Sequence, residues 1–296
     1  MTAVADRTVE LNGLAFHCRD WGGNGRLVLL LHGLASTAHI WDFVAPLLAE
    51  RHRVLALDQR GHGLSAKPDD GYDYATVASD ALAFLDHVGA PSAIVVGHSW
   101  GASVAIELAT SYPLRTEAIA LVDGGISGRG PRSNGTWEDY AQAMAPPELT
   151  HLTARAFIAG ARQRWAQLRS WTPELEAVLM SLFDVTSEGT IRPRFPRAQH
   201  MQVVRAMWES RGANTLSAVS CPVLAMPCRR PGNDERSQEL LRRREEALAA
   251  LAASMPNLTV RWLEDSVHDV PLQRPELVAD TLAAFLETNP TPQAAG

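Results

Sequence analysis

The sequence predicts an α/β fold: a mostly parallel eight-stranded sheet with helices on both faces and an inserted helical cap. Three observations carry that prediction. Short continuous apolar runs such as LVLLLH (Leu27–His32), RVLALD (Arg53–Asp58) and AIALVD (Ala118–Asp123) read as strands covered on both faces. Helical segments alternate with them, which implies parallel strands joined by helical crossovers. Between Gly124 and Arg211 the alternation stops, and Gly/Pro-rich pieces separate helical segments with no apolar strand run.

In chain order, Arg7–Leu11 and Leu14–Trp21 flank Asn12-Gly13, a dipeptide suited to a tight antiparallel hairpin. The strand Leu27–His32 leads to a helix expected over Ala38–Glu50, then the strand Arg53–Asp58 and a helix Tyr74–Val88. Ala93–Gly97 is a strand, Ala102–Ser111 a helix that stops before Pro113, and Ala118–Asp123 a strand. Helices near Trp137–Met144, Thr153–Leu168, Pro173–Phe183 and Ala198–Glu209 form the insertion. The rhythm resumes with strand Pro222–Met226, a helix near Arg236–Ala253, strand Thr259–Leu263 and helix Pro275–Glu287. A core of residues 1–123 and 212–296 with a cap of 124–211 follows, and the tail 288–296 is expected to be loose.

Composition excludes several classes of function. A net charge of −6 gives no electrostatic reason to bind nucleic acid. No stretch of about 18 apolar residues exists to span a membrane, and the start lacks a secretory pattern, so a cytoplasmic protein is expected. Cys18, Cys221 and Cys228 are odd in number and lack metal-ligand spacing, so neither a disulfide framework nor a metal site is expected. Of the 27 basic residues only Lys67 is a lysine, in a Pro/Asp-rich loop unsuited to Schiff-base chemistry. Gly22–Arg26 precedes a strand instead of following one, so it is no dinucleotide loop, and no cofactor is implied.

The chemistry concentrates at Gly97-His98-Ser99-Trp100-Gly101. A serine at a sharp strand-to-helix turn is lifted clear of the sheet, and small residues two before and two after leave room for the turn. Ser99 is therefore the candidate nucleophile, and the Trp100 amide, at a helix N-terminus, a candidate oxyanion donor. A serine hydroxyl needs a base. His268 follows the last strand, in the loop before the final helix, again at a carboxyl end of the sheet. His17, His39, His52 and His87 fall on early strands or helix surfaces, and His98 is expected to point away from the serine. His151 and His200 belong to the cap and are secondary candidates for substrate contact. The acid that orients the base is Asp123, ending the strand next to that of Ser99, or Asp234, in a Gly/Asn loop after the following strand. Asp123 is preferred because Asp234 falls late after its strand and could instead cap a helix. The second oxyanion donor is expected from His32-Gly33-Leu34 after the strand Leu27–Leu31, with the Leu34 amide as donor and His32, Gly33 and Trp100 bordering the substrate.

HGLAST, DQRGHGLS (Asp58–Ser65), GHSWG and SVHDVPLQRPELVADTLAAFL together resemble the α/β-hydrolase fold superfamily over nearly the whole chain. The resemblance implies Ser99 as nucleophile, His268 as base, Leu34 and Trp100 as oxyanion donors, and structural roles for Arg60 and His62. Many members carry the acid after the strand matching Pro222–Met226, where this chain has Arg229-Arg230-Pro231; some carry it one strand earlier, which matches Asp123. The expected activity is hydrolysis of carboxylic esters, lactones or thioesters on a small-molecule acyl substrate. The same triad serves proline aminopeptidases and carbon–carbon hydrolases, and the fold also serves cofactor-free oxygenases, lyases and receptors. The motifs do not select among substrates.

Overall fold

The computed structural model describes residues 4–126, 135–210, 216–229 and 235–289. Its first strands, β1 (Ala5–Leu11) and β2 (Leu14–Gly22), pair antiparallel. Asn12 and Gly13 make the turn with φ of 51° and 75°, a region Asn and Gly enter most readily. The buried runs become β3 (Leu27–Leu31), β4 (Arg53–Leu57), β5 (Ala93–His98) and β6 (Thr116–Val122). Two short strands follow inside the insertion, β7 (Phe183–Val185) and β8 (Ile191–Pro193). The sheet resumes with β9 (Val223–Met226), and β10 (Cys228–Arg229), β11 (Leu258–Val260) and β12 (Leu263–Glu264) complete the chain order.

The eight-stranded sheet has the order β1-β2-β4-β3-β5-β6-β9-β11 and is parallel from β4 to β11, with β2 antiparallel to both neighbours. Alternate residues of each central strand feed two separate cores. Leu29, Leu31 and Val95 pack with the helices Tyr74–His87 and Trp100–Ser111 on one face. Val28, Leu30, Ile94 and Val96 pack on the other with the C-terminal helix Pro275–Thr288, through Val278, Leu282 and Phe285. Apolar burial on both faces is why these strands read as unbroken apolar runs.

The insertion carries helices Trp137–Met144, Ala154–Trp165, Pro173–Met180 and Arg197–Glu209. Thr136, Thr153 and Thr172 cap the first three with their side chains. Leu175 and Val178 join the second core, so the helix Pro173–Met180 is packed onto the sheet domain.

Four local expectations change. The helix expected over Ala38–Glu50 is a 3-10 turn, Ala38–Trp41, and a separate helical turn, Ala45–Leu48, because Pro46 lacks the amide that would continue a helix through it. The insertion does contain strands, β7 and β8, paired antiparallel but too short for alternation to show in sequence. β10 pairs with β12 in a two-stranded parallel ribbon beyond the main sheet, so the run expected as Thr259–Leu263 is split. A helical turn, Val270–Gln273, intervenes between His268 and the final helix.

The loop after β4 is tied to the helix Tyr74–His87 by Arg60, which donates to both Asp80 oxygens at 2.8 Å, with both side chains buried. Removing one partner strands a buried charge. Asp80→Ala is expected to lower the unfolding free energy by about 3 kcal/mol, measured by urea denaturation.

Candidate active site

Ser99 stands between β5 and the helix Trp100–Ser111 with φ 53° and ψ −117°, a conformation that is strained for a non-glycine residue. The surrounding backbone is close enough to exclude side chains. A Cβ on Gly97 would lie 2.2 Å from the Gly101 carbonyl oxygen, and one on Gly101 2.5 Å from the Leu31 and His32 carbonyl oxygens. A third glycine matters as much: a Cβ on Gly124 would sit 2.0 Å from the Ser99 carbonyl oxygen. The motif reading missed Gly124, although two glycines directly after a candidate acid were the available signal.

His268 lies in the loop between β12 and the helical turn Val270–Gln273. That loop is braced from several sides. The Val267 amide donates to Gln273 Oε1 at 2.7 Å, Cys228 Sγ donates to the Val267 carbonyl at 3.2 Å, and His98 Nε2 meets the His268 carbonyl at 2.7 Å. His98 directs its Nε2 to the main chain of His268 and lines the same cleft as Ser99. Burial pushes its pKa down to about 4, helped by the neighbouring His268, so its neutral Nε2–H is the donor.

Asp123 follows β6 with φ 43°. Its Oδ2 accepts from His268 Nδ1 at 2.8 Å, and His268 Nε2 is 2.9 Å from Ser99 Oγ. The structure thus brings Ser99, His268 and Asp123 into one hydrogen-bonded chain. Asp234, the alternative acid, lies outside the described residues. Asp123 Oδ1 accepts from the Cys228 amide at 2.9 Å and from Arg244 Nη2 at 2.7 Å. Burial works against its charge, but these donors outweigh burial and hold its carboxyl well below the usual range. For His268, loss of water opposes protonation, yet the hydrogen bond and charge of Asp123 prevail and raise its pKa above the ordinary value of 6.5.

Leu34 lines the cleft beside Ser99, Gly33 and His268. Its loop is positioned by groups buried beneath it. Ala35, with φ 57°, donates its amide to His62 Nε2 at 3.2 Å, and the Ala38 amide donates to Asp58 Oδ1 at 2.7 Å. The Trp100 amide occupies the first helical position, where no intrahelical acceptor exists. His32 and the Trp100 indole do not border the cleft as expected. His32 is fully buried; its Nδ1 donates to the Gly33 carbonyl at 2.8 Å and its Nε2 accepts the Gln59 amide at 3.0 Å. Trp100 is 2% exposed and its ring stacks on His62. His200 is buried, its Nε2 meeting the Met144 carbonyl at 2.9 Å, and it does not line the cleft.

The cleft has a volume of about 140 Å³. Its apolar wall combines Leu34 and Ile40 from the sheet domain, Leu272 after His268, and Val178, Leu179 and Leu182 from the insertion. Thr37 Oγ1 and Ser181 Oγ, 2.7 Å apart, join the loop after β3 to the inserted segment. Asp269 also lines the cleft.

A family model described as "Alpha/beta hydrolase family" matches residues 28–281. The chain belongs to the alpha/beta hydrolase family. Among similar hydrolases, N-formylmaleamate deformylase of Pseudomonas putida is 28% identical over 274 residues, covering 91% of this chain and 92% of that one. The 2-(acetamidomethylene)succinate hydrolase of Mesorhizobium japonicum is 33% identical over 117 residues, 40% of this chain and 42% of that protein. The solved structure of an E-2-(acetamidomethylene)succinate hydrolase superposes with a TM-score of 0.78 at 23% identity, covering 96% of this chain and all of that one. Among the described residues, no helix of this hydrolase is long and apolar enough to cross a membrane.

Gly124→Ala forces Ser99 to move or the turn to open. The expected result is a melting temperature lowered by about 2–4 °C or more, with Ser99 displaced in the variant's crystal structure; retention of both would contradict the close-approach account.

Proposed function

We propose that this alpha/beta hydrolase is a serine hydrolase of short-acyl carboxylic esters, lactones or thioesters, acting through an acyl-enzyme on Ser99. The observation that supports this best is the hydrogen-bonded sequence Ser99 Oγ, His268 Nε2, His268 Nδ1, Asp123 Oδ2, with spacings of 2.9 and 2.8 Å, whose Ser99 and His268 line the cleft. His268 Nε2 takes the Ser99 proton as Oγ attacks the carbonyl carbon. Asp123 holds the Nδ1–H tautomer and stabilises the imidazolium. The Leu34 and Trp100 amides receive the charge that develops on the carbonyl oxygen. The imidazolium then protonates the leaving alcohol or thiol, and water, activated by the same His268, releases the acid. Ser99, His268 and water exchange every proton with the substrate while Asp123 supplies a fixed charge, so the reading calls for no cofactor, and its partner is a small acyl compound.

The cleft's size narrows the acyl group. An apolar cavity of about 150 Å³ accommodates benzene, so about 140 Å³ accommodates a short acyl chain. Residues 135–210 act in this reading as a lid whose Val178, Leu179 and Leu182 close over the acyl group. A second reading keeps the triad and cleaves a carbon–nitrogen bond in a short N-acyl compound; the similarity over 91% of this chain to a protein named a deformylase favours it over the aminopeptidase and lyase alternatives.

Ser99→Ala is expected to lower kcat on p-nitrophenyl acetate by about a million-fold, with wild-type acetate hydrolysis exceeding dodecanoate hydrolysis. Parallel assays on a matched short-chain amide separate the second reading. Because His268 must be neutral to accept the serine proton and its pKa is raised, kcat/KM should fall as pH drops through a point on the alkaline side of 6.5. A pH–rate profile whose acid limb lies below 6.5 contradicts the His268–Asp123 coupling.

A further inference from the structure

The triad accounts for one oxygen of Asp123. The other is held by a residue from a distant part of the chain. Arg244 projects from the long helix Glu235–Ser254, which is anchored in the core by Leu248, and its Nη2 donates to Asp123 Oδ1 at 2.7 Å. Its Nη1 reaches toward the Cys228 carbonyl at 3.4 Å, and its guanidinium lies 5.9 Å from the Trp262 ring. Arg229 shares that ring at 4.5 Å, but its charge is matched by Glu245 and Glu264, each at 2.8 Å. Arg244 is thereby left to face Asp123. It is 32% exposed, whereas Asp123 is 9% exposed.

We infer that Arg244 is a positioning residue: through Asp123 it fixes the carboxylate's orientation and sets the pH at which His268 loses its function as base. The inference rests on the hydrolase reading above. Geometry supplies the first half. With Oδ1 held by a cation and by the Cys228 amide, Oδ2 is directed at His268 Nδ1. Electrostatics supplies the second. Asp123 favours the imidazolium; a cation on the same carboxylate offsets part of that attraction, so His268 deprotonates at a lower pH than Asp123 alone would allow. The other groups facing His268 are Asp269 on its own loop, His98 at the end of β5 and Ser99. Asp269 favours the imidazolium, and His98 is neutral, so Arg244 is the cation that opposes protonation among the described residues.

The test titrates the His268 ring Cε1–H by NMR in the full chain, assigned by its loss in His268→Gln, alongside the pH profile of kcat/KM. Arg244→Gln removes the charge and should raise the His268 midpoint by about half a pH unit, cutting the neutral fraction on the acid limb about threefold. Arg244→Lys keeps the charge and should restore the wild-type midpoint. Arg244→Met, which keeps a flexible apolar stem and removes the charge, replaces the Gln variant if that fails to fold. An unchanged midpoint in Arg244→Gln, an equal shift in the Lys and Gln variants, or unfolding of both neutral variants overturns the inference. The NMR midpoint is read without turnover, so a wild-type Ser99→Ala rate would sink the hydrolase reading separately from this one.

Discussion

The close approach of three backbone segments around Ser99 is the constraint from which the rest of the site follows. The end of β5, the start of the helix behind it and the residue after Asp123 meet where Gly97, Gly101 and Gly124 have no Cβ to interpose. Three of the non-glycine residues with positive φ, Ala35, Ser99 and Asp123, cluster here. Strain of this kind costs roughly 1–3 kcal/mol per residue and persists only where surrounding structure over-determines it. The sheet provides that. β5 pairs with β6 in a register that sets His98 beside Val122, and β6 pairs with β9 so that Val122 lies beside Met226. The ladder then continues past the strand ends, with the Ser99 amide on the Val122 carbonyl and the Asp123 amide on the Met226 carbonyl. Ser99 and Asp123 are consequently neighbours by register, each one step beyond a paired residue. Cys228, two residues beyond the end of β9, contributes its amide to Asp123.

That register explains why so much could be read from the chain. Apolar runs of five or six residues are long enough to declare buried strands, and residues ending adjacent parallel strands must meet at one edge. Ser99 and Asp123 are legible for that reason, and His268 because it too follows a strand. What escaped reading lacks a periodic or positional signature. β7, β8, β10 and β12 have two or three residues each. Gly124 acts through a clash visible only in three dimensions. Arg244 sits in the arginine-rich run LRRRE, where sequence offers no reason to single out one guanidinium. His32 illustrates the opposite failure: a polar residue beside a cleft loop was expected to face substrate, but two local hydrogen bonds hold it beneath the loop.

The histidines show what distinguishes the proposed base from a structural imidazole. His32, His62 and His98 are buried, and for each, burial is the largest influence on its pKa and drives it down. They stay neutral and serve as fixed donors or acceptors for main-chain atoms. His17 pairs with Asp58 at 2.7 Å and is raised, as His268 is by Asp123 at 2.8 Å. A histidine–carboxylate couple is therefore not enough to mark the base. The second ring nitrogen decides. His17 Nε2 turns to Asp6 at 3.2 Å inside the β1–β2 edge, and the couple anchors Asp58, which in turn holds the loop of Leu34 through the Ala38 amide. His268 Nε2 turns to a hydroxyl held in a strained turn beside a cleft. The same pair of residue types thus stabilises the scaffold at one end of β4 and, in the proposed mechanism, addresses the nucleophile at the end of β5. The difference lies in what the sheet places opposite the free nitrogen.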